Sequence, residues 1–344
     1  MSSTDPNVPE APASEPIDLV YLWVDGADPA FRALKSRYRG DAPKRDDRPE
    51  LTGDEARWMQ MGEISWSVRS ARRFAPWIRN IFIVVKPGQK PPVDLADPRI
   101  RIVEEPEIQP AELFPVFASR SIEPFVHRIP GLSEIFVYAN DDFVFWRPTP
   151  REHFVVDGRL SLRGRVQPRW RARIDAARHK GHTRIVNLTA LLLYERGFER
   201  VHTPEHSFHV MRRATCERVW AEVGDRLSKA VALRFRDDDN GLNWQTLVNS
   251  FELRDRDPHL VRTFDAVLLS FAHVEESVFM DLYIRLRLAL LRWGLFVPRT
   301  LCFNTVPAVR QGRVRAIFER HFGRLDEVGS GGERRDDDRR GNPE

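Results

Sequence analysis

The sequence predicts an α/β fold, because short apolar runs that resemble buried strands alternate with helical segments. The first strand is expected over residues 17–24, a β-branched and aromatic run that ends at Asp25-Gly26, a turn signal. A helix is predicted over residues 63–74, since the pattern ends just before Pro76. Further strands are predicted over residues 81–85, 100–103 and 135–139. Such alternation is typical of a sheet with helices packed on its faces.

The pattern becomes more helical after about residue 150. Residues 160–173 are basic and either irregular or strand-like, whereas helices are predicted over residues 186–194, 214–220, 242–251, 279–293 and 313–322. We therefore expect one folded unit over residues 16–325, with an α/β core over 16–150 and a mostly helical part over 151–325 that covers the mouth of the sheet. Residues 1–15 and 326–344 have the polar, Ser-, Pro- and Gly-containing composition of disordered ends.

Composition excludes several classes of protein. The chain has 344 residues, of which 42% are hydrophobic, so a packed core can form, and its net charge of +4 gives no indication of nucleic-acid binding. Cys216 and Cys302 lack the spacing of a zinc site and fit a reducing compartment. Neither a signal peptide nor a spanning segment is visible, so a cytoplasmic location is expected.

The Arg-rich segment 283–293 admits two interpretations. The favoured one is a helix that faces the core and exposes its arginines to solvent. The other is peripheral contact with a membrane surface, which would place the protein at the inner face of the membrane.

Asn140, Asp141 and Asp142 are the strongest candidates for chemistry. They follow the strand predicted over residues 135–139, and ligands of open α/β sheets bind beyond the carboxyl ends of strands. Adjacent carboxylates repel each other, and Mg²⁺ or Mn²⁺ would relieve that repulsion. A solvated turn is the competing interpretation. Asp25 follows the first strand and could contact a ribose or base in the same crevice, although a plain turn is favoured there.

Other polar residues are weaker candidates taken one at a time. Ser119, Arg120 and Ser121 are small or basic groups that could face a phosphate, and Glu123 follows them, although a capping or surface role is favoured for this Glu on its own. His202 could act as a general base, but Pro204 breaks the helical spacing that a zinc pair with His206 would need. Arg236 could clamp a phosphate, while the acidic run 237–239 is expected to cap the helix predicted over residues 242–251. No P-loop, dinucleotide-binding or nucleophile-elbow motif is present.

Taken together, these segments resemble the Stealth proteins, which include bacterial capsular polysaccharide phosphotransferases and the catalytic subunit of the lysosomal-enzyme N-acetylglucosamine-1-phosphotransferase. The first characteristic region resembles residues 17–26, and the second, which is long and specific, resembles residues 63–89 and 114–142. The third is similar at residues 202–204 and 235–236, and the fourth, more faintly, at residues 301–304 and 317–318.

This resemblance implies a GT-A-like nucleotide-sugar fold, a divalent metal, and transfer of a hexose-1-phosphate from a nucleotide-sugar to a glycan hydroxyl. The family's functional positions match Glu123, Asp142, His202 and Arg236, and Asp141 joins Asp142 as an expected metal ligand. Substrate contacts are expected from Asp25, Gly26, Arg69, Ser119, Arg120, Asn140 and Asn187.

The sequence departs from the family pattern at two positions. Thr305 follows Asn304 where the family usually has Asp, and Ala118 stands where an Asn is usual. These departures keep a catalytically silent nucleotide-sugar-binding protein open as an alternative. A metal-dependent glycosyltransferase that releases a nucleoside diphosphate is the other alternative.

Overall fold

Four parallel strands form the centre of the structure, a computed structural model that describes residues 15–39, 62–262, 265–270, 278–304, 306 and 308–325. They are β1 (Ile17–Leu22), β2 (Ile78–Val85), β3 (Ile100–Glu104) and β4 (Ile135–Asn140). A fifth strand, His209–Arg212, runs antiparallel to β4, and the sheet order places β1 between β2 and β4. The α/β class and the predicted strands of the first half are confirmed.

The remaining strands are short and pair with distant segments. Numbered in chain order, they are β5 (Phe143–Phe145), β6 (Val155–Val156), β7 (Arg159–Val166), β8 (His202–Pro204), β9 (His209–Arg212), β10 (His259–Val261), β11 (Ala266–Ser270) and β12 (Thr300–Asn304). β11, β12 and β5 make a separate three-stranded sheet, and β10, β7, β6 and β8 make another. Residues 151–325 therefore contain more strand than the sequence predicted.

The helices within the described ranges surround these sheets. They are α1 (Pro29–Arg39), α2 (Glu63–Phe74), α3 (Arg169–Arg178), α4 (Gly181–Glu195), α5 (Arg213–Val231), α6 (Trp244–Asp255), α7 (Val278–Arg292) and α8 (Ala308–Phe322). All the predicted helices are confirmed, whereas α1 and α3 were not predicted. Among the described helices, none combines the length and the apolar character needed to cross a bilayer. The expected disordered ends, except for Glu15, and Thr305 lie outside the described residues.

The central sheet is covered on both faces, which explains why β1 is apolar at nearly every position. Val20 belongs to a core that also contains Val219 of α5 and Leu247 of α6. Leu19 points into the opposite core, where it joins Val68 of α2. Parallel strands that are buried on both sides lose the alternating pattern of a half-exposed strand.

The capping of α6 differs from the prediction. Asn243 is its N-cap, and its Oδ1 accepts a hydrogen bond from the amide of Thr246 at 2.9 Å. The acidic run instead serves the start of α4, where Asp238 accepts from the amide of Gly181 at 2.6 Å. The last acid of the run, Asp239, lies four residues before the N-cap position, because Asn240, Gly241 and Leu242 intervene.

Asp18 joins three strands at the amino edge of the sheet. Its buried carboxylate accepts hydrogen bonds from Arg79 Nε at 2.9 Å and from the amides of Asn80 and Ser133 at 3.0 and 2.8 Å. Since Arg79 and Asn80 belong to β2 and Ser133 immediately precedes β4, one charge holds the starts of β1, β2 and β4 together. A buried carboxylate is tolerated only with such complete pairing.

The first prediction concerns this interaction. Asp18→Asn removes the charge and turns one acceptor into a donor that faces other donors, so the free energy of unfolding should fall by about 2–3 kcal/mol. Chemical denaturation measures the change. The matched control, Asp157→Asn, alters an exposed aspartate at positive φ, where Asn is equally suited. Equal stability of the two variants would show that Asp18 is not a structural tie.

The second prediction is that His127 makes the free energy of unfolding depend on pH. Burial, together with the charges of Arg128 and Arg213, lowers the pKa of His127 to about 4, below the 6.5 of an unfolded chain. The unfolded state therefore binds the proton first as pH falls. The stability associated with a neutral His127 is complete above pH 6.5 and is lost between pH 6.5 and 4, by up to about 1.4 kcal/mol per pH unit.

His127→Gln should reduce that slope, and denaturation midpoints measured across this pH range give the comparison. The control His179→Gln changes an exposed histidine and should leave the slope as it is in the parent. An unchanged slope in His127→Gln would mean that His127 does not carry the pH dependence.

Candidate functional site

The carboxyl edge of the central sheet gathers the predicted site residues. β1 and β4 pair in parallel with Leu22 opposite Asn140, so Asp25 and Asp142 follow strands that end at the same edge. Their predicted position at one edge is confirmed, whereas a crevice that both residues share stays a prediction. The position follows from strand direction alone, because all parallel strands present their carboxyl ends on one side.

Three carboxylates converge at this edge. Asp141 and Asp142 follow β4, and Glu63 begins α2 and lines the same small cavity with Trp66 and Phe318. Burial and the charges of Asp142 and Glu63 raise the pKa of Asp141 well above its ordinary value. Burial and the charge of Glu63 also raise the pKa of Asp142, to about 6, against the opposing effect of a hydrogen bond from Cys302. The ionised carboxylates of Glu63, Asp141 and Asp142 therefore repel one another.

Asp142 also belongs to a second group of ligand atoms. Its Oδ2 accepts a hydrogen bond from Cys302 Sγ at 3.2 Å, and ligand atoms of Asp142, His206 and Cys302 all lie within 4.8 Å of one another. The other carboxylate oxygen of Asp142 and Nε2 of His206 are buried without a hydrogen-bond partner. Buried polar atoms seldom remain unpaired in a folded protein.

These residues fit a divalent cation. The unpaired oxygen of Asp142 offers a ligand, and the raised pKa values of Asp141 and Asp142 show that their anionic forms are destabilised, which a bound cation would offset. Oxygen ligands from Glu63, Asp141 and Asp142 suit Mg²⁺ or Mn²⁺, whereas His206 and Cys302 favour softer ions.

Glu123 lies close to Tyr138 of β4, the strand that leads to Asp141 and Asp142. It is buried in a short 3-10 helix, Glu123–Arg128, and its Oε2 accepts from Gln245 Nε2 of α6 at 3.0 Å. Burial, the charge of Glu123 and a hydrogen bond to it raise the pKa of Tyr138 well above its ordinary value. The single proton of the Tyr138 hydroxyl can be donated either to Glu123 or to Asn140 Oδ1, which lies 3.1 Å away, so Tyr138 links Glu123 to the Asn-Asp-Asp turn.

His202 is fully buried in β8, and burial lowers its pKa to about 4. Its Nδ1 lies 3.2 Å from Asn249 Nδ2, and its Nε2 has no hydrogen-bond partner. Gly164 of β7 makes room for it, since a Cβ on Gly164 would lie 2.8 Å from His202 Cε1 and 2.2 Å from the carbonyl oxygen of Thr203. The glycine also adopts a φ of 144°, which other residues rarely adopt.

Two loops bring Arg120 and Arg236 to the same histidine. The Phe117 amide donates to the Arg234 carbonyl at 2.7 Å, which aligns the loop that carries Ser119 and Arg120 with the one that carries Arg236. Desolvation and the positive charges of Arg120, His206 and Arg236 lower the pKa of His182. The centres of the His182 and His206 rings lie 6.2 Å apart, and His206 is a neighbour of Asp142. The two histidines therefore lie between the arginines and the carboxylates.

Asp25 and Gly26 form a tight turn at the edge. Asp25 Oδ1 accepts from the Ala27 amide at 2.8 Å, and the Asp25 amide donates to Gln89 Oε1 at the same distance. The Gly26 carbonyl accepts from Arg32 Nε of α1 at 2.8 Å. These contacts match the turn interpretation that the sequence favoured, while the role of this turn in nucleoside binding stays a prediction.

Two predicted substrate ligands make structural contacts instead. Arg69 of α2 donates to the backbone carbonyls of Phe322 and Arg324, at 3.0 and 2.9 Å, and so fastens the end of α8. Asn187 is buried, accepts from Gln167 and donates to the Thr183 carbonyl. Both side chains therefore have structural hydrogen-bond partners, and the substrate role that the resemblance implies for them stays a prediction.

Glu63, His182, His206 and Cys302 were not predicted as site residues. Glu63 lies within the second resembling region and at a helix start, while His206 lies within the histidine group that was considered as a zinc motif. Their positions depend on pairing between segments that are far apart in the sequence: α2 and β12 both contact β5, which directly follows the Asn-Asp-Asp turn.

Comparison with known proteins places the first half of the chain. Residues 15–42 match the Stealth protein conserved region 1, and residues 57–162 match conserved region 2. An exopolysaccharide phosphotransferase of Streptomyces coelicolor is 32% identical over 234 residues, which cover 64% of this chain and 36% of that protein. A capsular polysaccharide phosphotransferase of Actinobacillus pleuropneumoniae is 38% identical over 141 residues, which cover 40% of this chain and 38% of that protein.

The chain spans less than half the length of these relatives. A solved structure of the bifunctional glycosyltransferase WbbM aligns with 93% of this chain and 52% of that chain at 9% identity, but its TM-score of 0.35 is too low to bear on the fold. The expected GT-A likeness therefore stays a prediction. The sequence matches are specific: this chain carries regions that match the first and second conserved regions of the Stealth proteins.

Proposed function

We propose that this protein transfers a hexose-1-phosphate from a nucleotide-sugar to a hydroxyl of a glycan in capsular or exopolysaccharide synthesis. The observation that carries the proposal is the unpaired carboxylate oxygen of Asp142 beside Asp141 and Glu63 at the carboxyl edge of the sheet. The names of the relatives, phosphotransferases of exopolysaccharide and capsular polysaccharide, support the class of reaction.

In the proposed reaction, the acceptor hydroxyl attacks the phosphorus that bears the sugar. The bond from that phosphorus to the bridging oxygen of the diphosphate breaks, a nucleoside monophosphate leaves, and the product is a phosphodiester. Arg120 and Arg236 would stabilise negative charge on the phosphoryl group. Their proximity to the site supports this role, because both charges lower the pKa of His182, whose ring centre lies 6.2 Å from that of His206.

Glu63, Asp141 and Asp142 would hold a divalent cation, and His206 and Cys302 lie close enough to Asp142 to contribute. When bound, Mg²⁺ or Mn²⁺ would neutralise charge on the donor diphosphate. Asp142 takes part in both groups of ligands, which is why it is the residue assigned the central role.

Two residues are candidates for accepting the proton of the hydroxyl. His202 is neutral at pH 7, because burial lowers its pKa to about 4. To accept at Nε2 it must carry its hydrogen on Nδ1 and donate it to Asn249 Oδ1, an atom that has no partner in the present amide orientation. A 180° rotation of that amide provides the arrangement. Glu123 is the other candidate, with Gln245 and Tyr138 as its neighbours.

The released nucleotide tests the proposal. The purified protein, with Mg²⁺ or Mn²⁺ and an acceptor glycan, would be incubated with a panel of nucleotide-sugars, and the products would be separated by anion-exchange chromatography. We expect a nucleoside monophosphate in equal amount to the phosphodiester formed. A nucleoside diphosphate would instead identify a glycosyltransferase. Binding of a nucleotide-sugar by calorimetry, without turnover of any donor, would identify a silent binding protein.

Asp142→Asn should lower turnover by at least about 100-fold, because the amide cannot replace a charged ligand in a site built on electrostatics. The same change removes repulsion from Asp141 and Glu63, so the free energy of unfolding should stay the same or rise. Initial rates and denaturation curves give the two measurements, with Asp157→Asn as the matched control. Turnover close to that of the parent would remove Asp142 from the mechanism.

A further inference from the structure

The outward face of α7 is unusually apolar. Phe279 is 86% exposed, Leu282 64%, Leu286 56% and Trp293 69%. The segment that follows α7 continues this character with Leu295 and Val297, which are 75% and 46% exposed. Single exposed apolar side chains are common on protein surfaces, but a contiguous group of this kind marks a surface that another partner covers.

Helix geometry separates this face from the core. At 100° per residue, Phe279, Leu282 and Leu286 project to one side of α7. Trp293 directly follows the helix and continues this side, since its amide still donates to the Ala289 carbonyl at 3.0 Å. The opposite side carries Ile284, Leu288 and Leu291, which are buried against β11, β12 and α8 in a shared core. The core-facing side therefore supplies the contacts of α7 with the core. Packing within the described residues does not explain why the outward face is apolar.

Arginines flank the outward face on both sides. Arg285 and Arg292 lie along one border, and Arg287 lies along the other. The Arg287 guanidinium lies 4.4 Å from the centre of the Phe296 ring and 5.2 Å from that of Tyr283. The acidic residue of α7, Asp281, faces the core side of the helix, where it pairs with Arg285 and Arg310.

We propose that α7 and the segment through Val297 dock onto an anionic lipid surface, with the helix lying in the plane of the membrane. Phe279, Leu282, Leu286 and Trp293 would enter the boundary between headgroups and acyl chains. The flanking arginines would contact lipid phosphates while their aliphatic stems stay against apolar surface. An aromatic and aliphatic face bordered by arginines is typical of helices that lie at membrane interfaces.

The charge distribution distinguishes this partner from a second copy of the chain. Self-association through α7 would bring Arg285, Arg287 and Arg292 of both copies towards one another, which is unfavourable. An anionic bilayer offers complementary charge and an apolar layer at the same depth. The proposal is independent of the transferase reaction, because none of these side chains belongs to the carboxylate site.

Vesicle flotation tests the proposal. The full chain would be mixed with phosphatidylcholine vesicles with or without phosphatidylglycerol, and the bound fraction would be measured against lipid concentration. We expect binding to the anionic vesicles, weaker binding to the neutral ones, and a decrease on adding salt. The double substitution Phe279→Ser, Leu286→Ser should lower the partition coefficient by about tenfold or more.

The control substitution is Trp170→Ser, which removes a 63% exposed aromatic residue from α3 and should leave binding unchanged. Circular dichroism melting curves verify that each variant is folded. The proposal is overturned if the chain does not bind anionic vesicles or if the double variant binds as the parent does. It is also overturned if sedimentation velocity shows a dimer that the double variant converts to monomer, since the face would then join two copies.

Discussion

Parallel pairing of β1 with both β2 and β4 is the constraint on which the rest of this structure depends. Because the strands share a direction, every turn that follows them opens at one edge of the sheet. The Asp25 turn and the Asn-Asp-Asp turn therefore become neighbours, although more than 100 residues separate them in the sequence. At the opposite edge, Asp18 ties together the starts of the same three strands. One end of the sheet is thus fixed by a fully paired carboxylate, and the other end presents Asp142, one carboxylate oxygen of which has no hydrogen-bond partner.

The two edges use the same chemical group in opposite ways. Asp18 is surrounded by donors, so its charge stabilises the fold. Asp141 and Asp142 are partly withdrawn from water beside another acid, and burial and repulsion raise their pKa values. A carboxylate group that weakens the fold is expected where function requires it. This contrast distinguishes the structural aspartate from the two aspartates of the proposed site more clearly than their positions in the sequence do.

Local pattern was sufficient to predict the first four strands, α2, and most later helices, because each is encoded by its own run of apolar residues. The sequence also placed Asp142 at a strand end. It could not reveal Glu63 and Cys302 as neighbours of Asp142, because β12 reaches β5 only through long-range antiparallel pairing. Short strands such as β8 and β11 were missed for a different reason, because so few residues carry little periodicity by which a strand can be recognised.

One prediction was wrong about which helix the acidic run caps, and Arg69 has structural contacts that its sequence position did not indicate. The acidic run before α6 was expected to cap that helix, yet Asn243 caps it and Asp238 caps α4. Arg69 lies in a region that resembles the family closely, yet its guanidinium fastens the end of α8. A charged side chain near a motif can satisfy backbone groups from distant segments, and only the three-dimensional arrangement shows which.

The proposed reaction depends most directly on a cation at the carboxyl edge of the sheet. Crystals soaked in Mn²⁺ with a nucleotide-sugar, measured at the manganese absorption edge, would locate that ion by its anomalous scattering. We expect one strong peak within about 2.0–2.3 Å of a carboxylate oxygen of Asp142 and next to the donor diphosphate. A diphosphate bound at this edge without a peak beside Asp142, or a peak at a different part of the sheet, would contradict the account.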